Sequence, residues 1–178
     1  MNTPDADAPE EIAWQGKWIT TKKRGRWEYV SRAGNIRAAA ILAVEDGEIL
    51  LVEQYRVPLG QRCLELPAGL IGDDDGGEDD DPLSAAKREL EEETGYRAEH
   101  WEEVGEFFSS PGMTSESFTL LKASGLTKVG PGGGVDGEDI VVHRVKLADL
   151  PQTIADFRRG DVAIDTRILL ALGSHILP

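Results

Sequence analysis

The stretch DPLSAAKRELEEETGY, residues 81–96, constrains the fold more than any other part of the chain. Asp81 stands at an N-cap position with Pro82 at the first helical residue, and Gly95 fits the position just past a helix end. Between them Leu83, Ala86 and Leu90 recur at helical spacing, so one side of this helix lies on a core. Residues i, i+3 and i+4 share a face, which sets Glu89, Glu92 and Glu93 side by side and turns Glu91 away. Like charges so placed destabilise a helix by roughly a few tenths of a kcal/mol per pair unless something neutralises them. Hard divalent cations do so by taking carboxylate oxygens as ligands. A charge run alone is usually a solvated face. The preceding LPAGLIG (66–72) changes that balance, because Gly69 lets backbone come close to a ligand.

The rest of the chain supplies a sheet. IRAAAILAV (36–44) and EILLVEQY (48–55) flank Asp46-Gly47, a strong hairpin signal. Strands are expected over 12–21 and 26–33 around Lys23-Arg24-Gly25, near 63–67 and 101–108, and over 117–123 and 139–147. KVGPGGGVDGED (128–139) is expected to be a flexible, irregular loop. Helices are expected over about 149–159 and 163–173, the second using Ile168, Leu169 and Leu172 for core or dimer packing. These elements give a mixed α/β sandwich. Residues 1–10 read as a disordered tail, 11–35 as an N-terminal β-hairpin segment and 36–178 as the main domain.

Composition excludes several classes. A net charge of −14 over 178 residues argues against a general nucleic-acid binder. No apolar run spans a bilayer, and MNTPDADAPEE is acidic, unlike a signal peptide, so a single cytoplasmic domain without a membrane partner is expected. The lone Cys63 excludes an internal disulfide and a Cys-based zinc site, and reads as a small core residue. His100, His143 and His175 have no metal-ligand spacing, and His143 reads as a packed strand residue.

RELEEETGY resembles the second half of the Nudix box, with Arg88, Glu89, Leu90, Glu92, Glu93, Gly95 and Tyr96 at its fixed positions. The first half departs. Asp80 stands where the family has Glu, and Gly69 lies too far upstream, because GDDDGGEDDD (72–81) looks like an insertion of about five residues, within which Glu78 is an alternative acid. GKW (16–18), RWEYVSR (26–32), VEQYRVPLG (52–60), ELPAGLI (65–71), SSPGMTSE (109–116), EDIVVHRV (138–145) and AIDTRILLAL (163–172) together resemble the ADP-ribose pyrophosphatase branch.

The resemblance implies an α/β (α+β) Nudix-type fold, a mixed β-sheet sandwiched between helices with an N-terminal antiparallel strand pair. It implies metal-dependent hydrolysis of ADP-ribose to AMP and ribose 5-phosphate, with two or three Mg2+ ions, or Mn2+ in their place. Glu89, Glu92 and Glu93 are the expected metal ligands, joined by the Ala68 carbonyl that the resemblance adds. Trp18 and Trp27 match tryptophans that sandwich adenine in relatives, often across a homodimer interface that exchanges N-terminal strands. Trp14 and Trp101 fall in no matching motif and read as packing.

Arg32 and Arg56 are candidate phosphate clamps, since a guanidinium forks onto phosphate. Arg88 reads as an ion-pair partner that steadies Glu89 or the loop carboxylate. Glu138, between a Gly-rich loop and a strand, is the first choice of general base, with Glu116 the alternative. Three other readings stay open: another nucleoside diphosphate sugar such as GDP-mannose, a nucleoside triphosphate or capped RNA, and a non-catalytic module that senses ADP-ribose.

Overall fold

The computed structural model describes residues 4–34, 36–72, 81–135 and 137–173. In chain order the strands are β1 (Glu10–Gln15), β2 (Ile19–Arg24), β3 (Trp27–Arg32), β4 (Arg37–Glu45), β5 (Glu48–Arg56), β6 (Gln61–Glu65) and β7 (Ala68–Ile71). Helix α1 (Pro82–Thr94) follows, then β8 (Tyr96–Phe108), β9 (Ser117–Lys128), β10 (Val141–Lys146), helix α2 (Leu150–Arg159) and β11 (Ala163–Ile164). Glu78, Asp80 and most of the acidic insert lie outside the described residues.

β4 explains the layering. Its side chains alternate across the sheet, and both faces are apolar, as in strands covered on two sides. Ala38, Ala40 and Leu42 join a core with Leu51, Leu64, Leu66, Leu150 and Ile154. Ala39, Ile41 and Ala43 join another with Leu50, Ala85, Ala86 and Leu90. The sheet is therefore sandwiched, with α1 on one face and α2 on the other. β4 runs parallel to β9 and antiparallel to β7, and β5 pairs antiparallel with β6 and β10. β4 and β5 pair at Val44–Ile49 and Glu45–Glu48, beside the Asp46-Gly47 turn. Both turn residues have positive φ, 50° and 73°, as a two-residue type I′ hairpin requires.

Two expectations are corrected. The N-terminal segment is a three-stranded antiparallel sheet, β1–β2–β3, because the stretch expected to be one strand breaks at Gly16 and the tight turn falls at Gly25-Arg26. Residues 163–173 do not form an α-helix. Ala163 and Ile164 pair parallel with Cys63 and Leu64, and Thr166–Leu172 is a 3-10 helix with Ile168 buried and Leu169 and Leu172 exposed. Trp14, read as packing, does not enter the core of this chain. It is 56% exposed, and its ring covers Gly16.

Other readings match. Cys63 is buried, and burial pushes its thiol up to about 12. His143 Nε2 sits 2.9 Å from Glu53 Oε2, and its ring meets Phe157 edge-on. Trp101 packs beside the α1-side core. Among the described residues no helix is long and apolar enough to cross a membrane.

Candidate active site

Helix α1 delivers the acids. Asp81 caps it, accepting hydrogen bonds from the Leu83 and Ser84 amides at 2.9 and 3.0 Å. Gly95 ends it at φ 71°, where a Cβ would strike the Gly130 backbone. Along its length Ala85, Ala86 and Leu90 are buried, so the neighbouring face carrying Glu89 and Glu93 is pressed toward β7. At that contact Gly69 has a role the sequence did not reveal. A Cβ there would overlap the Glu89 carboxylate, so the missing side chain makes room for Glu89. The Ala68 amide donates to Glu93 Oε2 at 3.0 Å. Glu91 is turned away, as expected, and pairs with Arg97 at 2.7 Å.

The Gly-rich loop is irregular, as expected, and is tied to the end of α1. Gly133 and Gly134 amides donate to the Glu93 and Glu92 carbonyls at 2.8 and 3.0 Å, satisfying the open end of α1. This seating brings Glu138 to the same place as Glu93. Its Oε2 accepts from the Val135 amide at 2.9 Å.

Glu89, Glu93 and Glu138 line a cavity of about 600 Å³ that also contains Ala68, Arg32, Arg56 and Glu116. Glu93 is 5% exposed. Burial, then the negative fields of Glu89 and Glu138, push its carboxyl up to about 8, against the pull of the Ala68 amide and Arg56. Glu92 is exposed and stands outside this lining. Among the described residues no group of three His, Cys, Asp or Glu side chains is already gathered so as to hold a metal ion. The donor chemistry nevertheless fits a hard divalent cation: carboxylates crowd one wall, and a cation would relieve the repulsion that raises Glu93.

The arginines that line the cavity are each paired with an acid. Arg56 forks onto Glu65, Nε to Oε1 at 2.6 Å and Nη2 to Oε2 at 2.8 Å. Glu65 is 1% exposed and also accepts from Arg167 Nη2 at 3.2 Å. Arg167 is held by Asp165 Oδ2 at 2.6 Å. Arg32 Nε donates to Glu116 Oε1 at 2.6 Å, within a loop that is stitched to β3 by the Ser115 amide on the Val30 carbonyl. Arg88 Nη2 lies 3.5 Å from both Glu89 Oε1 and the Leu70 carbonyl, at the edge of hydrogen bonding.

Trp18 and Trp27 are 48% and 55% exposed on the N-terminal sheet, and neither lines this chain's cavity. The structure thus gathers Ala68, Glu89, Glu93, Glu138, Glu116, Arg32 and Arg56, and leaves Glu92, Trp18 and Trp27 outside. Sequence reasoning missed Glu65, Asp165 and Arg167. The available signal was a charge inside an apolar run, CLELP and AIDTRILL, since a buried charge demands a partner.

A mixed sheet covered on both faces, with a cavity lined by the acids of α1 and by paired arginines, defines a mixed α/β domain with a charged site. The NUDIX domain profile matches residues 34–160, and the chain belongs to this family, as a Nudix hydrolase. It is 33% identical to an uncharacterized Nudix hydrolase of Schizosaccharomyces pombe, over 89% of this chain and 86% of that protein. It is 35% identical to an ADP-ribose pyrophosphatase of Mycobacterium tuberculosis, over 93% of this chain and 74% of that one. The fold matches a crystal structure of an ADP compounds hydrolase with a TM-score of 0.70 at 21% identity, covering 92% of this chain and 89% of that chain.

Proposed function

We propose that this protein is a divalent-metal-dependent ADP-ribose pyrophosphatase, releasing AMP and ribose 5-phosphate. The observation that carries the reading is one cavity lined both by the acids Glu89, Glu93 and Glu138 and by the arginines Arg32 and Arg56. A diphosphate bound in it meets guanidiniums and also acids suited to divalent ions. Glu89, Glu92, Glu93 and the Ala68 carbonyl would hold Mg2+ or Mn2+, two or three ions in all. Glu92 turns inward from its exposed position to do so. The metal would polarise the phosphoryl oxygens and neutralise charge that develops on them. The side chains hold the substrate in line for attack by water, with Arg56 and Arg32 on its phosphates.

Glu138 is the general base. Its carboxylate accepts from the Val135 amide, and it sits beside Glu93. Glu116 is occupied by Arg32, which disfavours it. Arg88 steadies Glu89. Trp18 and Trp27 supply adenine stacking from an exposed sheet, a placement that suits a site completed across a homodimer by the partner's N-terminal strands. A single buried Cys63 suits a reducing, cytoplasmic setting. Nucleic acid and membrane are not partners in this reading.

The test incubates purified protein and Mg2+ with ADP-ribose, GDP-mannose, a nucleoside triphosphate and capped RNA, and resolves the products. Preferential release of AMP and ribose 5-phosphate from ADP-ribose is expected. Preference for GDP-mannose moves the substrate, and tight binding without turnover makes the protein a sensor.

A further inference from the structure

We infer that Glu65 is a positioning residue, which grips one edge of the Arg56 guanidinium so that its remaining N–H groups serve the substrate phosphates, and is itself held by the Asp165–Arg167 pair. This rests on the diphosphate reading above. Glu65 lies at the end of β6, 1% exposed, and such a carboxylate must be fully partnered. Both its oxygens are engaged, Oε1 by Arg56 Nε, Oε2 by Arg56 Nη2 and Arg167 Nη2. Such a bidentate pair fixes the plane as well as the distance of a guanidinium. It occupies two of the five N–H donors of Arg56 and leaves the rest for a ligand in the cavity that Arg56 lines.

The acids that share this cavity explain why a fixed arginine matters. Arg56 already acts through its field on Glu93. Released from Glu65, a long cationic side chain would swing across the cavity onto Glu89, Glu93 or Glu138. It would then vacate the phosphate position and weaken substrate binding. Glu65 prevents this collapse. Arg167, which lines the same cavity, also holds Glu65 Oε2, and Asp165 fixes Arg167 through two contacts, Nε at 2.9 Å and Nη2 at 2.6 Å. Asp165 also accepts from the Arg167 amide at 2.7 Å, locking the start of the Thr166–Leu172 turn. Two acids and two guanidiniums thus balance in charge.

The experiment is a mutant cycle on Glu65→Gln, Arg56→Ala and the double variant, with steady-state kinetics on ADP-ribose. Binding of a nonhydrolysable ADP-ribose analogue without metal is measured by calorimetry in parallel. Glu65→Gln should raise KM and the analogue Kd by about tenfold, with kcat changed less than about threefold. In the Arg56→Ala background the same substitution should add less than about twofold. A merely structural role would lower the active fraction, hence kcat, and leave KM and Kd alone. If Glu65→Gln does not fold, Asp165→Asn with Arg167→Gln, which removes the outer pair together, is measured against Arg56→Ala in the same way. Unchanged KM and Kd, or equal effects with and without Arg56, overturn the inference. If the wild-type protein does not hydrolyse ADP-ribose but binds the analogue, calorimetry still decides the role of Glu65. If it does neither, the diphosphate reading falls, and this inference falls with it.

Discussion

Metal-free protein should lose stability as pH rises through the range where most proteins are at their best, and Glu93 is the cause. Its carboxyl is raised from 4.5 to about 8, first by burial and then by Glu89 and Glu138. In the unfolded chain it ionises near its ordinary value. Below about pH 4.5 both states hold the proton and Glu93 costs nothing. Between about 4.5 and 8 the folded state retains a proton that the unfolded state has lost, so unfolding stability falls by about 1.4 kcal/mol per pH unit. By pH 8 the loss is about 4 kcal/mol, a large share of a typical 5–15 kcal/mol total. The assay is urea denaturation with a chelator at half-unit steps from pH 5 to 8.5, repeated for Glu93→Gln. The variant removes this slope while keeping the general repulsion of a chain with net charge −14. The difference between the two curves is the Glu93 contribution. Saturating Mg2+ should flatten the wild-type curve, since a bound cation favours the ionised form. Identical slopes in wild type and Glu93→Gln would refute the reasoning.

Other outcomes follow from the same geometry. Glu89→Gln and Glu93→Gln should each lower ADP-ribose turnover by roughly a hundredfold or more, with folding retained by circular dichroism; near-wild-type rates would remove them from the site. Glu138→Gln should lower kcat far more than it raises KM, whereas Glu116→Gln should act mainly on KM through Arg32; the reverse pattern assigns the base to Glu116. Gly69→Ala displaces the Glu89 carboxylate and should cost roughly a hundredfold in kcat with little change in Tm, and an unchanged kcat would mean Glu89 is free to move. Trp27→Ala, at an exposed position, should leave Tm nearly unchanged while weakening analogue binding by about tenfold in calorimetry; unaltered affinity would place the adenine elsewhere.

The sequence was most legible where causes are local. Asp81, Pro82 and Gly95 mark the ends of α1 through contacts within a few residues, and Asp46-Gly47 specifies its hairpin from two dihedrals. The apolar run 36–44, expected as a hairpin strand, proves to be covered on both faces. What was lost depends on distant partners. Glu65 meets Arg167 across 102 positions, so nothing near either residue names the other. Residues 163–173 have helical apolar spacing, but the Asp165 cap and the pairing of Ala163 and Ile164 with β6 turn the chain into a short strand and a 3-10 helix. Helical spacing correctly grouped Glu89, Glu92 and Glu93. It did not reveal that the contact with β7 admits the i, i+4 pair to the cavity and leaves Glu92 on its flank. The glycines of 128–139 permit an irregular path, and only the carbonyls of Glu92 and Glu93 say where that path is pinned.

The most direct measurement is anomalous diffraction from crystals grown with Mn2+ and a nonhydrolysable ADP-ribose analogue. Manganese peaks bonded to the Glu89 and Glu93 carboxylates, with the diphosphate between them and Arg56, are the predicted result. Those carboxylates bare of metal, with the diphosphate bound away from Arg56, would contradict it.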